Sequence, residues 1–127
     1  MGAWETGAFD NDGAGDLIVA ITEGYFTFES VAWAFEDEDY VEVDGGQIAL
    51  ALAELAVRSR AGEPLPLGGG DSAPFAALLT PERIEWIRTQ ATRTLAGAEA
   101  SELYELWEEA GELEGWLADA RATLAKL

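Results

Sequence analysis

The chain has no cysteine and no histidine, and its only lysine is Lys126. These absences exclude disulfides, thiol nucleophiles, imidazole bases and the nitrogen- and sulfur-rich zinc or copper sites that depend on them. Any catalysis would have to rest on carboxylates, hydroxyls, arginines or that one lysine. Bases are scarce throughout, since seven Lys and Arg stand against 25 Asp and Glu for a net charge of −18. None of the seven precedes Arg58, so residues 1–57 hold 13 acids and a charge of −13, and the remainder, with 12 acids, carries −5. Such a field repels phosphate backbones, which argues against nucleic-acid binding by charge neutralisation. It suits a basic protein partner, a cation, or solubility alone.

Long apolar runs are also missing. No stretch approaches the roughly 18 residues of a membrane span, and the start MGAWETGAFDNDG has no basic region followed by an apolar one, so the expectation is a cytoplasmic protein. Gly2 and Thr6 fit the short myristoylation pattern, but the acidic charge and the lack of a basic second anchor argue against membrane attachment. Nearly half the 127 residues are apolar and five are tryptophan, enough for one folded domain spanning 1–127.

The apolar spacing predicts an all-α domain of about five helices, with an extended aromatic N-terminal arm carrying Trp4 and Phe9. A first helix starts near Asp12 and stops at Gly24, a residue suited to a left-handed cap. YFTFESVAWAF at 25–35 reads as a short helix presenting Phe28, Val31 or Ala32, and Phe35. The run Glu36, Asp37, Glu38 and Asp39 is too charged to bury and ends it. YVEV at 40–43 alternates like a strand but has no partner with which to form a sheet. Asp44 is placed to cap a central buried helix through QIALALAELAVRSR. AGEPLPLGGGDSAP at 61–74 is a Gly/Pro loop; no Gly-Lys-Ser/Thr follows, so it is no phosphate loop.

Thr80 before Pro81 is a capping hydroxyl followed by a proline at the first helical position. The helix it opens puts Ile84, Ile87, Ala91 and Leu95 on one stripe and ends near Gly97. Ser101 caps a final segment in which Leu103, Leu106, Ala110, Leu113, Leu117, Ala120, Leu124 and Leu127 follow heptad spacing. This seam packs either on the domain's own core, the favoured reading, or on a second copy, so monomer and homodimer are both compatible. Gly111 is the expected break between one helix and two.

The segment FDNDGAGD at 9–16 admits three readings. As a phosphatase loop it would use Asp10 as nucleophile and Asp12 as acid and base, but it lacks a preceding apolar strand, a following threonine and a nearby lysine. As a Ca²⁺ or Mg²⁺ loop it would use Asp10, Asp12 and Asp16, but Ala14 and Ile21 occupy two positions that must supply ligands. As a helix start, its aspartates cap free backbone N–H groups and face the positive end of the helix dipole. The third reading uses every residue and is favoured.

Three stretches together, the opening G-A-W-x-T-G-x-F-D-N-D-x-A-x-D at 2–16, SELYELWEEA at 101–110 and WLADARATL at 116–124, resemble the bacterial domain-of-unknown-function family 4259. The chain departs from the family's usual pattern at Glu5 and Ala8. The resemblance implies a small, mostly helical protein and supplies no catalytic residues. The leading expectation is therefore a non-enzymatic interaction domain, of inhibitor or immunity type, in which Glu36–Asp39 meet a basic protein partner. The alternative is a weak cation site or carboxylate-based hydrolase drawing on Asp10, Asp12, Glu108, Glu109 and Glu112, and a further one is a self-associating dimer.

Overall fold

The computed structural model describes residues 12–65 and 72–127, and places six α-helices and one 3-10 turn in them. These are α1 (Asp12–Glu23), the 3-10 turn (Ala32–Phe35), α2 (Val43–Ala61), α3 (Ala73–Leu78), α4 (Pro81–Thr94), α5 (Glu102–Glu109) and α6 (Leu113–Lys126). The fold is all-helical, with no sheet among the described residues and one hydrophobic core. The expected arm at Trp4 and Phe9 lies outside the described residues, as do residues 66–71 of the 61–74 loop; α3 takes up its last two positions.

α2 is the axis of the fold because its sequence is apolar or small almost all round from Gly45 to Ala56. Every residue from Gly45 to Ala53 is buried, as are Leu55 and Ala56, and α1, α3, α4, α5 and α6 all pack on it. Its glycines set how close those neighbours come. A Cβ on Gly46 would lie 3.0 Å from Thr94 Cγ2 and 3.1 Å from Leu103 Cβ, and one on Gly45 would lie 2.9 Å from the Ala34 carbonyl oxygen. On α1, a Cβ on Gly13 would meet the Gln47 side chain at 2.7 Å. Small residues at these crossings let four segments, α1, the 3-10 turn, α4 and α5, close on the first two turns of α2.

Several ends fall where their local chemistry dictates. Gly24 and Gly111 both take positive φ, 83° and 75°, the left-handed backbone that stops α1 and separates α5 from α6. Thr80 Oγ1 accepts from the Arg83 N–H at 3.2 Å, and Ser101 Oγ accepts from the Tyr104 N–H at 3.2 Å. Ile84, Ile87, Ala91 and Leu95 are all buried, as their stripe requires.

Three local expectations are corrected by contacts made at long range. Asp44 does not cap α2; it sits in the first turn, and the cap comes from Glu102, whose Oε1 accepts the Val43 N–H at 2.8 Å. Val41 does have a backbone partner, since its N–H donates to Ala100 O and its carbonyl accepts from Glu102 N–H, both at 2.9 Å, in an isolated parallel bridge to Ser101. Segment 25–35 is a chain of turns ending in the 3-10 helix rather than an α-helix. Phe26 packs edge-on against Phe28, and Phe28 and Phe35 each meet the Trp86 ring edge-on at centroid distances of 5.8 and 5.2 Å. Aromatic anchoring on α4 thus overrides helical propensity in this segment.

The heptad seam is also only partly buried. Leu106 is 44 % exposed and Ala110 is exposed, whereas Trp107 and Trp116, which lie off the seam, are buried with their rings stacked 6.2 Å apart. The seam residues Leu103, Leu117 and Ala120 stay in the core beside the two indoles, and Leu106 and Ala110, just before the bend at Gly111, are the two that fall outside it. The segment packs on its own domain through α2, as favoured from the sequence.

Glu102 therefore has a specific structural duty. Glu102→Ala is expected to lower stability by about 1–2 kcal/mol, because the Val43 N–H loses its acceptor, whereas Glu102→Gln retains an acceptor and loses less. Thermal melts of the two variants side by side test this, and equal losses would contradict the hydrogen-bonding role.

Candidate functional site

The four carboxylates from Glu36 to Asp39 form an exposed turn directly after the 3-10 helix. Its backbone is held by Arg93 of α4, whose Nη1 donates to the Phe35 carbonyl at 3.4 Å and whose Nη2 donates to the Asp37 carbonyl. Nη1 also donates to Gln90 Oε1 at 2.7 Å. Within the turn, Asp37 Oδ1 accepts from the Asp39 N–H at 2.9 Å. The Arg93 guanidinium thus holds the turn by its main-chain oxygens, with Gln90 as its side-chain partner, and ion-pairs with none of the four carboxylates. Next to it, the half-buried Tyr40 phenol titrates above its ordinary value, first because partial burial disfavours the phenolate and then because Glu102, Glu105 and Glu42 repel it.

Among the described acids of residues 12–57, Glu29 and Glu54 are ion-paired. Arg58 pairs with Glu54 one turn back on α2 at 3.2 Å, Arg88 pairs with Glu85 within α4, and Arg60 donates to the Leu127 carbonyl at 2.7 Å. Arg83 reaches back from α4 to the aromatic turns. Its guanidinium lies 4.8 Å over the Phe28 ring and 3.6 Å from Glu29.

Two hollows flank the N-terminal end of α2. One, of about 240 Å³, opens between α1, the aromatic turns and α2, and is lined by Asp16, Leu17, Phe26, Trp33, Asp44 and Ile48 among others. The other, of about 360 Å³, lies between α2 and α5 and is mostly apolar, with Val43, Gln47, Leu103, Leu106 and Trp107 as walls and Glu109 at its edge. Trp33, which lines the first hollow, is 58 % exposed.

The described residues among those singled out from the sequence form no metal-holding cluster. Asp10 and the Asp12 side chain lie outside the described residues; Asp16 is exposed on α1; Glu108, Glu109 and Glu112 are exposed around the α5–α6 turn. Among the described residues, no three or more His, Cys, Asp or Glu side chains gather closely enough to hold a metal ion. The backbone N–H of Gly13 in the first turn of α1 is met by Gln47 Oε1 at 3.1 Å, a partner 34 residues away that no local pattern announces. Sequence reasoning also missed Arg93 as organiser of the acidic turn and Trp33 as an exposed aromatic, since both depend on how α4 meets the turns.

A small, acidic, all-helical domain with an organised carboxylate turn and no cluster of metal ligands among its described residues is the class that fold and surface define. The chain belongs to the family described as a domain of unknown function, DUF4259, whose family model matches residues 2–119. No curated protein and no solved structure matches it significantly. No helix among the described residues is long and apolar enough to cross a membrane.

Proposed function

We propose that this domain is a protein-interaction module, of inhibitor or immunity type, whose acidic face recognises a basic partner. The observation that carries the reading is the Glu36–Asp39 turn. Its backbone is fixed by Arg93 through main-chain carbonyls, so its carboxylates are presented together without being neutralised by ion pairs. Pre-ordering such a loop removes part of the entropic cost of binding, and the surrounding field speeds encounter with a cationic surface. The absence of any Lys or Arg between Met1 and Val57 extends that field beyond the turn.

Affinity capture from cells of the source organism tests this reading. At low ionic strength a basic protein is expected to be retained, and at moderate ionic strength, where the Debye length falls to about 8 Å, retention should drop sharply. A variant with Glu36→Gln, Asp37→Asn, Glu38→Gln and Asp39→Asn should lose the partner at both. A bait that retains no salt-sensitive partner would overturn the reading.

A further inference from the structure

We propose that the hollow between α1, the aromatic turns and α2 receives an arginine side chain from the basic partner; this deepens the acidic-face reading and rests on it. The cavity measures about 240 Å³, smaller than the roughly 300–1,000 Å³ of small-molecule sites and suited to one long side chain. Its floor is apolar, from Leu17, Phe26 and Ile48, and it carries a carboxylate on each of two helices, Asp16 of α1 and Asp44 of α2. Trp33 stands at its mouth with 58 % of its surface open. An apolar floor takes an aliphatic stem, a carboxylate takes a guanidinium through paired hydrogen bonds, and an indole face takes its planar charge. Lysine, a hydrated point charge without that plane, uses less of this arrangement.

The fold itself shows the combination at work nearby. Arg83 lies over the Phe28 ring and beside Glu29, an arginine held by one aromatic and one carboxylate. The hollow offers an aromatic and two carboxylates, and no Lys or Arg is among its lining residues. Neither the Asp16 nor the Asp44 carboxylate has a hydrogen bond or ion pair with a described residue. An arginine entering there would complete what Arg83 completes on the other side of the aromatic turns. Arg and Trp are also the side chains that most often dominate protein interfaces.

The test uses a short capped peptide of arginine, serine and glycine, with lysine and citrulline counterparts, titrated at low salt by calorimetry and by NMR. The expected order of affinity is arginine, then lysine, then citrulline, with the largest shifts at the Trp33 indole N–H and at the amides of Asp16 and Asp44. Asp16→Asn combined with Asp44→Asn should weaken the arginine peptide by about tenfold or more, and Trp33→Ala by about threefold or more. All three side chains are exposed, so these variants should keep the wild-type helical circular-dichroism signal. If the double variant binds as tightly as wild type while neutralising residues 36–39 abolishes binding, the hollow is not the seat and the acidic face stands. Equal affinity for the citrulline peptide would overturn the charge recognition at the hollow. If no cationic peptide binds at all, the acidic-face reading fails and the arginine seat with it.

Discussion

Leu52→Ala is expected to destabilise the domain by about 3–5 kcal/mol, the largest loss anticipated from a single truncation here. Leu52 sits in the middle of α2 with no exposed surface, and Ala51, Ala53, Leu55 and Ala56 around it are equally enclosed. Cutting the side chain back to its Cβ removes dispersion contacts on all sides. It also leaves a cavity that packed helices cannot collapse into without losing other contacts. Urea denaturation followed by tryptophan fluorescence would read this as a lower midpoint at unchanged slope. A loss below about 1 kcal/mol would mean that α2 is not the central helix.

Gly46→Val is expected to cost about 3 kcal/mol or more, although two effects oppose each other. Removing a helical glycine in favour of alanine gains about 1 kcal/mol through the unfolded chain. Against this, the new Cβ would stand 3.0 Å from Thr94 Cγ2 and 3.1 Å from both Leu103 Cβ and Cδ2. Neither neighbour yields cheaply. Thr94 is fully buried and its hydroxyl donates to the Gln90 carbonyl at 2.9 Å, and the Leu103 Cβ is fixed by the α5 backbone. The clash therefore wins, and the added methyls of valine deepen it. Gly15→Ala is the matched control: it lies in α1 with nothing within 4 Å of an added Cβ, so it should stabilise by about 0.5–1 kcal/mol. Chemical denaturation of the two variants in parallel checks both signs, and a stabilised Gly46→Val would contradict the close approach of α4 and α5 to α2.

The local devices legible in the sequence share one property: each is completed within about four residues. Thr80 reaches Arg83, Ser101 reaches Tyr104, and Gly24 and Gly111 act through their own φ angles. The all-helical class, the central buried helix and the break in the C-terminal segment follow from such signals and from apolar spacing. The readings that needed correction turn on distant partners. The α2 cap comes from Glu102, 59 residues away, and the aromatic turns are shaped by Trp86. The heptad pattern held at Leu103, Leu117 and Ala120, but Leu106 and Ala110 lie outside the core, which the Trp107–Trp116 stack completes from off the seam.

The candidate sites divide along the same line. Composition alone determined that this protein has no thiol or imidazole chemistry, that its first 57 residues form an uncompensated acidic stretch, and that Glu36–Asp39 had to lie at the surface. These conclusions rest on inventory and solvation cost, which do not depend on how the chain is folded. Only the tertiary structure decided that Arg93 holds the acidic turn by its carbonyls and leaves its carboxylates presented. It alone set Asp16 and Asp44, from different helices, around one apolar hollow with Trp33 at the mouth. The physical reason is that a side chain's partner across 30 to 60 residues is chosen by the packing of whole helices, and residue spacing in one segment carries no record of that choice.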